Sequence, residues 1–434
     1  MRFCCMLTAL LILTAGAIVL FGCSDSRAPS GTVTLYLYGR SPYTVPTSAE
    51  WAAFQDGDGP WQRISPSQEG VYTGAVSDPR GRFGFAYYRD GDLHLQQSTL
   101  AEGTTLVGFL DNGLSSVRGG EHGDMPDMRT ALPGYYTING SISYTFPAGG
   151  TSVTMGTGSS ASSPISSYWF TVKAGLHDLV ISDNGRSMPW EVTWLFLDRD
   201  IDVQGNMTRN VTVTPSNIVT LEPGAGLTVT GDLANARANV NFLTANGTTT
   251  SLAYAEIPTG TLAFRTLPAA AMAPGDRYVA EVSAWYKRQL VCFDTPVGPT
   301  MNIPSANFDT FSVSSVVDEQ NLRYPVFNGL TFPDHRGYFM YCDTYTHFVD
   351  VIVSAGWLAA NSATAYQVPD LTGVDGWQAS WSIDESESIN YEEAMAFYGN
   401  ASLATCIGQY FSPAHFMPAP GEWLGVAWDV QPPQ

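Results

Sequence analysis

Thr32-Val33-Thr34-Leu35-Tyr36-Leu37-Tyr38 sets Thr and Tyr against Val and Leu at every second position. A period of two sends the two classes of side chain to opposite faces of an extended chain, so the stretch reads as a β-strand with one buried face. The pattern recurs immediately downstream. Trp51 to Phe54, Gly70 to Val76, Phe83 to Tyr88 and Leu93 to Gln97 are further strands, divided by turn signals at Asp56-Gly57-Asp58-Gly59, Asp78-Pro79-Arg80-Gly81 and Asp90-Gly91-Asp92. Five short strands with turns every ~8–12 residues predict a β-sandwich module over 31–110.

Composition extends this reading to the rest of the chain. Only 14% of the 434 residues are charged, while 42 are Gly and 12% are aromatic. Amphipathic helices need Lys, Glu and Arg faces; uncharged strands joined by Gly, Pro, Asn and Asp turns do not. At ~150 residues per domain the length suggests about three domains. The segment 111–133 has no period and reads as a loop or linker. Sandwich modules are expected at 134–215 and 216–300, and a β-rich C-terminal module at 301–434. Within the last, Trp377 to Trp381 reads as a strand and Asn390 to Tyr398 as the single short helix.

A loose repeat runs through the modules. Three times an apolar strand (Tyr72 to Val76, Trp169 to Val172, Leu262 to Phe264) leads into a turn carrying Gly81, Gly175 or Gly275 and then an alternating strand. This reads as a crossing between two sheets, where glycine permits the tight backbone. Its best instance, Phe170-Thr171-Val172-Lys173-Ala174-Gly175-Leu176-His177-Asp178-Leu179-Val180, resembles the signature of transthyretin-like and carboxypeptidase-regulatory-like modules of surface proteins. Leu-His-Asp stands where Tyr is usual in that family. The resemblance implies an all-β chain of three to four tandem Ig-like or transthyretin-like β-sandwich modules. The whole arrangement is similar to secreted bacterial lipoproteins, which implies no activity.

The N-terminus specifies an address. Arg2 supplies a positive charge, Leu7 to Phe21 an apolar run, and Leu20-Phe21-Gly22-Cys23 its end. These residues resemble a bacterial lipoprotein signal, although Phe21 is bulkier than the family's usual residue there. The resemblance implies a signal peptide over 1–22, cleavage before Cys23, acyl chains (palmitate) on Cys23 and a tether over 23–30. The membrane would then be a partner through that lipid. The body would stand in the bacterial cell envelope, at the outer membrane or on the periplasmic or extracellular face of the cytoplasmic membrane. An uncleaved anchor or an ordinary secretory signal would export it as well.

Forty Asp and Glu against twenty Lys and Arg give a net charge of -20. That balance excludes nucleic acid as a partner, because phosphate backbones require clustered cations. Once Cys4 and Cys5 leave with the signal and Cys23 takes the lipid, Cys292, Cys342 and Cys406 remain. An odd number allows at most one internal disulfide. Cys342 with Cys406, in one module, is the preferred pair.

Gly-x-Ser-x-Gly, His-Glu-x-x-His and phosphate-binding Lys loops do not occur in the sequence. Asp56 and Asp58, at alternate positions before Gly59, resemble part of a calcium loop but lack its distal Glu, so an acidic turn is the alternative to a structural calcium site. Asp384, Glu385, Glu387, Glu392 and Glu393 form an acidic edge in which two carboxylates could serve a glycosidase. Trp51 and Trp61, and Trp377 and Trp381, could stack on sugar rings. The expected function is therefore a non-catalytic binding, display or structural role in the envelope, without a cofactor beyond that calcium. A cell-wall or surface glycan, or a protein, would be its partner. The alternatives are a glycan-binding or carbohydrate-active surface protein, and a pilus or envelope-assembly subunit with an unpaired edge strand.

Overall fold

A computed structural model describes residues 30–40, 46–89, 91–111, 135–156, 158–162, 165–183, 190–231, 233–257, 260–295, 297–305, 311–344, 346–411 and 417–429. The signal peptide, Cys23, the tether up to residue 29 and nearly all of 111–133 lie outside these residues. Among them the chain is all-β, with two short α-helices, Ala355–Ala360 and Leu403–Phe411.

Three sandwich units share one plan. In the first, Gly31–Arg40 lies between Val71–Val76, antiparallel, and Thr105–Asp111, parallel. In the second, Tyr135–Tyr144 lies between antiparallel Ser167–Lys173 and parallel Met207–Thr208 and Val211–Val213. In the third, Glu222–Gly231 lies between antiparallel Thr261–Thr266 and parallel Thr300–Ile303. After Val71–Val76, Ser167–Lys173 and Thr261–Thr266 the chain crosses to the facing sheet as Arg82–Arg89, Gly175–Asp183 and Arg277–Ala284. Gly81, Gly175 and Gly275 have φ of 67°, 130° and 95° at these crossings, a conformation that a Cβ disfavours. The alternation of the first strand is realised as read: Val33, Leu35 and Leu37 point into a core with Phe54, Tyr72, Phe83 and Phe85.

The facing sheets of the first and third units do not stop at their own units. They join four strands of the C-terminal segment in one thirteen-stranded sheet. Its order is Trp190–Glu191, Thr249–Glu256, Arg237–Leu243, Arg277–Ala284, Lys287–Phe293, Trp423–Asp429, Tyr391–Gly399, His335–Asp343, Phe348–Ser354, Asp92–Thr99, Arg82–Arg89, Trp51–Asp56 and Gln62–Arg63. At ~4.8 Å per strand this spans about 58 Å. Every pairing is antiparallel except Phe348–Ser354 with Asp92–Thr99. The sheet thus runs across the 31–110, 216–300 and 301–434 divisions. The second unit keeps a five-stranded sheet of its own and contributes only Trp190–Glu191. Both outer strands of the large sheet are two residues long, which leaves little edge for unintended pairing.

The middle of this sheet is buried on both faces. Tyr338, Met340 and Cys342 share one core with Val349, Val351, Trp51 and Tyr88 on one face, together with Phe327, Phe332, Leu358, Tyr366 and Leu371. Phe339, Ile352, Met395 and Phe397 line the other, beneath Cys406 and Ile407 of the Leu403–Phe411 helix. This geometry corrects the expected disulfide. Cys342 and Cys406 lie on opposite faces, with the sheet between them, and both are free and buried, as is Cys292.

Two local expectations also change. Asn390 to Tyr398 is not helical: it belongs to the central strand Tyr391–Gly399, where two neighbouring strands override the helix propensity of Glu392, Glu393, Ala394 and Met395. Trp377 to Trp381 is not a strand: Trp377 closes a turn and Ala379–Trp381 is a single 3-10 turn.

Candidate functional site

The structure brings three of the four singled-out tryptophans together. Trp51 starts the strand next to Arg82–Arg89, so its side chain falls beside Tyr88, and the 375–383 segment closes over both. The ring of Trp51 meets Trp377 edge-on at 5.1 Å and 75°, and Trp381 at 6.3 Å and 63°. Tyr88, which sequence reasoning passed over, stacks on Trp381 at 4.2 Å and 20°. Trp51 is only 2% exposed, and its Nε1 donates to the Asp375 carbonyl at 3.0 Å. Trp377 Nε1 donates to Ser382 Oγ at 3.0 Å. Trp61 packs, partly buried, against the same core. Trp51, Tyr88, Trp377 and Trp381 therefore make an interlocked plug, with no flat row of rings among them for a sugar to cover. The adjoining cleft, lined by Leu93, Arg323, Pro325, His347, Trp377 and Trp381, encloses about 30 Å³. That is room for about two waters and far too little for a sugar ring.

One carboxylate of the acidic edge contacts His347, which lines this cleft. Glu387 accepts from Thr344 Oγ1 at 2.6 Å, from Thr346 Oγ1, and sits 3.0 Å from His347 Nδ1. Partial burial raises its pKa, but those three donors outweigh burial and hold the carboxyl down to about 2. His347 Nε2 lies 3.0 Å from the Ser380 carbonyl, so the ring ties the Asp343–Phe348 turn to the segment carrying Trp381. Glu392 and Glu393 belong to the central strand, whereas Asp384 and Glu385 lie in the loop before it. No second carboxylate faces Glu387 across an open cleft among the described contacts, as a glycosidase pair would require.

Asp56 and Asp58 are engaged by protein donors. Asp56 accepts from the Ser77 and Asp78 amides, both at 2.9 Å, and pins that turn. Asp58 receives Arg82 Nη1 at 2.7 Å, Arg82 Nη2 at 2.6 Å and Arg80 Nη2 at 2.8 Å. Asp58 is thus paired with two guanidinium groups, while Asp56 holds the Ser77–Asp78 turn. Among the described residues no group of three or more His, Cys, Asp or Glu side chains could hold a metal.

A buried polar pair was not legible in the sequence, because its members come from opposite ends of the chain. His94 and Asp350 are register partners in the parallel ladder, with Nδ1 3.1 Å from Oδ2. Tyr87 stacks on the imidazole at 4.9 Å and 14°. The space beside it, lined by Phe109, Phe339 and Ile407, measures about 10 Å³ and admits about one water. The pair is a structural joint with no room for a substrate.

No protein-family model matches the chain, and no curated protein does. Solved structures align with parts of the chain at low identity. The TIE protein of Bacillus anthracis aligns over 63% of this chain and 50% of its own, at 10% identity and a TM-score of 0.15. A Ca2+-stabilised adhesin with which an Antarctic bacterium binds ice aligns over 87% of this chain and 92% of its own, at 10% identity and a TM-score of 0.16. The shaft pilin SpaA of Lactobacillus rhamnosus GG aligns over 39% and 96%, at 8% identity and a TM-score of 0.13. The chain spans half of the first of these. Overlays this weak do not bear on what the chain does. No helix among the described residues is long and apolar enough to cross a membrane.

Proposed function

We propose that this chain is a non-catalytic protein of the bacterial cell envelope, held by lipid on Cys23, whose body is a rigid platform for display or spacing. The continuous thirteen-stranded sheet supports this reading, since it fuses the first unit, the third unit and the C-terminal segment into one body. A sheet buried on both faces at its middle resists bending far better than modules joined by linkers. The titratable clusters agree with it: Arg82 consumes Asp58 and Asp78, Glu387 is spent on a loop tie, and His94 and Asp350 close a joint. More than one acyl chain on Cys23 would hold such a body stably at the membrane.

The test is fractionation and mass spectrometry of the full chain expressed in a bacterium. Wild type is expected in the membrane fraction with an acylated N-terminal Cys23, and Cys23→Ser in the soluble envelope fraction. Recovery of wild type as an unmodified soluble protein would remove the anchor from the proposal. A second reading, assembly by strand addition, draws on Ser312–Val317. Among the described residues this uncharged strand pairs on one side only, with Arg323–Asn328, and exposes Val316 and Val317. Concentration-dependent oligomers that vanish in Val316→Lys would favour it.

A further inference from the structure

Trp285 and Tyr286 form the two-residue tip of the hairpin between Arg277–Ala284 and Lys287–Phe293, closed by the Ala284 and Lys287 pair. Trp285 has a φ of 47°, in the left-handed region. An L-residue with a bulky side chain is destabilised there by about 1 kcal/mol or more, and hairpins of this length ordinarily place Asn, Asp or Gly at such a position. Burial does not compensate, because Trp285 is 62% and Tyr286 48% exposed. The tip is nonetheless fixed: the Trp428 amide donates to the Tyr286 carbonyl at 2.8 Å. The two rings stand 6.0 Å apart, inclined at 47°. A strained, pinned turn thus holds two aromatic rings in solvent, and backbone strain of this kind concentrates at binding sites.

The strands leading to this tip carry a polar face. Register aligns Glu256, Arg237, Ser283 and Arg288 in one row across four strands, and Tyr254, Asn239 and Glu281 in the next. Their chain neighbours Ala255, Ala238 and Val282 are buried in the core on the opposite face. Arg288 Nε meets Glu281 Oε1 at 2.7 Å, and Arg237 Nη2 lies 3.6 Å from Glu256 Oε1. Tyr254 stacks on Trp190 at 6.2 Å and 22°. The charges cancel in pairs, which leaves no field for an ionic ligand but many hydrogen-bond donors and acceptors. The chain's charge of -20 also repels an anionic membrane surface.

We propose that this tip and face bind an uncharged glycan chain. Trp285 and Tyr286 stack on sugar rings, while Asn239 and the two Arg–Glu pairs bond to hydroxyls. The inference gives the platform a ligand class and does not depend on how the chain is anchored. It is tested on the full chain in detergent micelles by calorimetry against neutral gluco-, xylo- and manno-oligosaccharides, with vesicles of zwitterionic and anionic lipid as a second arm. Saturable binding to a neutral glycan is expected, weakened about tenfold or more by Trp285→Asn or Tyr286→Ala and unchanged by Trp381→Phe. Trp285→Asn also relieves the backbone, so its melting temperature should equal or exceed that of wild type while binding is lost. Absence of binding to every glycan, binding that survives Trp285→Asn, or vesicle binding that Trp285→Asn abolishes would each overturn the proposal.

Discussion

His94 and Asp350 face each other across the parallel ladder of the large sheet, Nδ1 3.1 Å from Oδ2, and both are buried. A parallel pair cannot be made by a hairpin, so this ladder is the place where the first unit is locked to the C-terminal segment. Beside it Gln96 Nε2 donates to Tyr87 Oη at 2.9 Å and to the Val107 carbonyl at 3.1 Å. Removing one member of a buried pair leaves the other without its partner, which costs about 3–5 kcal/mol. Asp350→Ala should lower unfolding stability in urea by about 3 kcal/mol or split the transition as the first unit melts separately. Asp350→Asn, which keeps an acceptor, should lose only about 1 kcal/mol. A single transition at the wild-type midpoint for Asp350→Ala would show that the joint carries nothing.

Arg82 is a second lock between the ends of the chain. Its side chain is 2% exposed, donates to Asp78 and Asp58, and reaches Asn361 Oδ1 at 2.5 Å beyond the Ala355–Ala360 helix. Arg82 hydrogen bonds hold the Asp58 and Asp78 carboxyls below the usual carboxylate range. Arg82→Ala should therefore cost about 3 kcal/mol or more, and Asn361→Ala about 1 kcal/mol. Because the folded pKa of Asp78 is lowered, its contribution is present above the unfolded value of about 3.9 and is lost as pH falls through the folded one. Acidification from pH 5 should destabilise wild type more than Arg82→Met, measured by urea midpoints at each pH.

Alternation at Thr32 to Tyr38 and the turns at Gly81, Gly175 and Gly275 are properties of neighbouring residues, and they determine strands and sheet crossings. Nothing local says that Leu93 to Gln97 will pair with Val349 to Val353, because parallel register is set by tertiary assembly. The fusion of units and the His94–Asp350 pair were hidden for that reason. At Asn390 to Tyr398, propensity and context disagree, and context prevails. The Asp-x-Asp spacing of Asp56 and Asp58 does not say what each carboxylate meets, and only the fold shows that Arg80 and Arg82 pair with Asp58 while Asp56 holds the Ser77 turn. The sequence paired Trp51 with Trp61 and Trp377 with Trp381; the meeting of Trp51 with Trp377 and Trp381, and the burial of Trp51 beneath the 375–383 segment, depend on contacts more than 300 residues apart in the chain.

The cysteines give a direct chemical check on the separation of the two faces. Burial pushes the Cys292 thiol up to about 11 and the Cys406 thiol up to about 12, and raises that of Cys342 further. The thiolate is the reactive form, so all three should be inert. With Cys4, Cys5 and Cys23 replaced by Ser, the native chain should show no reaction with a disulfide reagent at pH 8. It should release three thiols on denaturation without reductant. One thiol on denaturation would instead restore a disulfide.

Glu387 supplies a test of the strap over the tryptophans. Its contacts with Thr344, Thr346 and His347, and those of His347 with Ser380, tie a hairpin turn to the segment that lays Trp381 on Tyr88. The carboxyl's folded pKa of about 2 lies below its ordinary 4.5. Its stabilisation is therefore complete above about pH 4.5 and is lost as pH falls toward 2. Loosening the strap admits water to the indole of Trp381, which red-shifts its emission. Wild type should show that shift between pH 4.5 and 2, whereas Glu387→Gln should be red-shifted already at pH 7 and flat across the acid range. The substitution replaces hydrogen bonds to a charged acceptor, each contributing about 1.5–3 kcal/mol, with neutral ones of about half that strength. Trp381→Phe, lacking the reporter, separates this movement from the other indoles. An acid profile of Glu387→Gln that overlays wild type would place the titrating tie elsewhere.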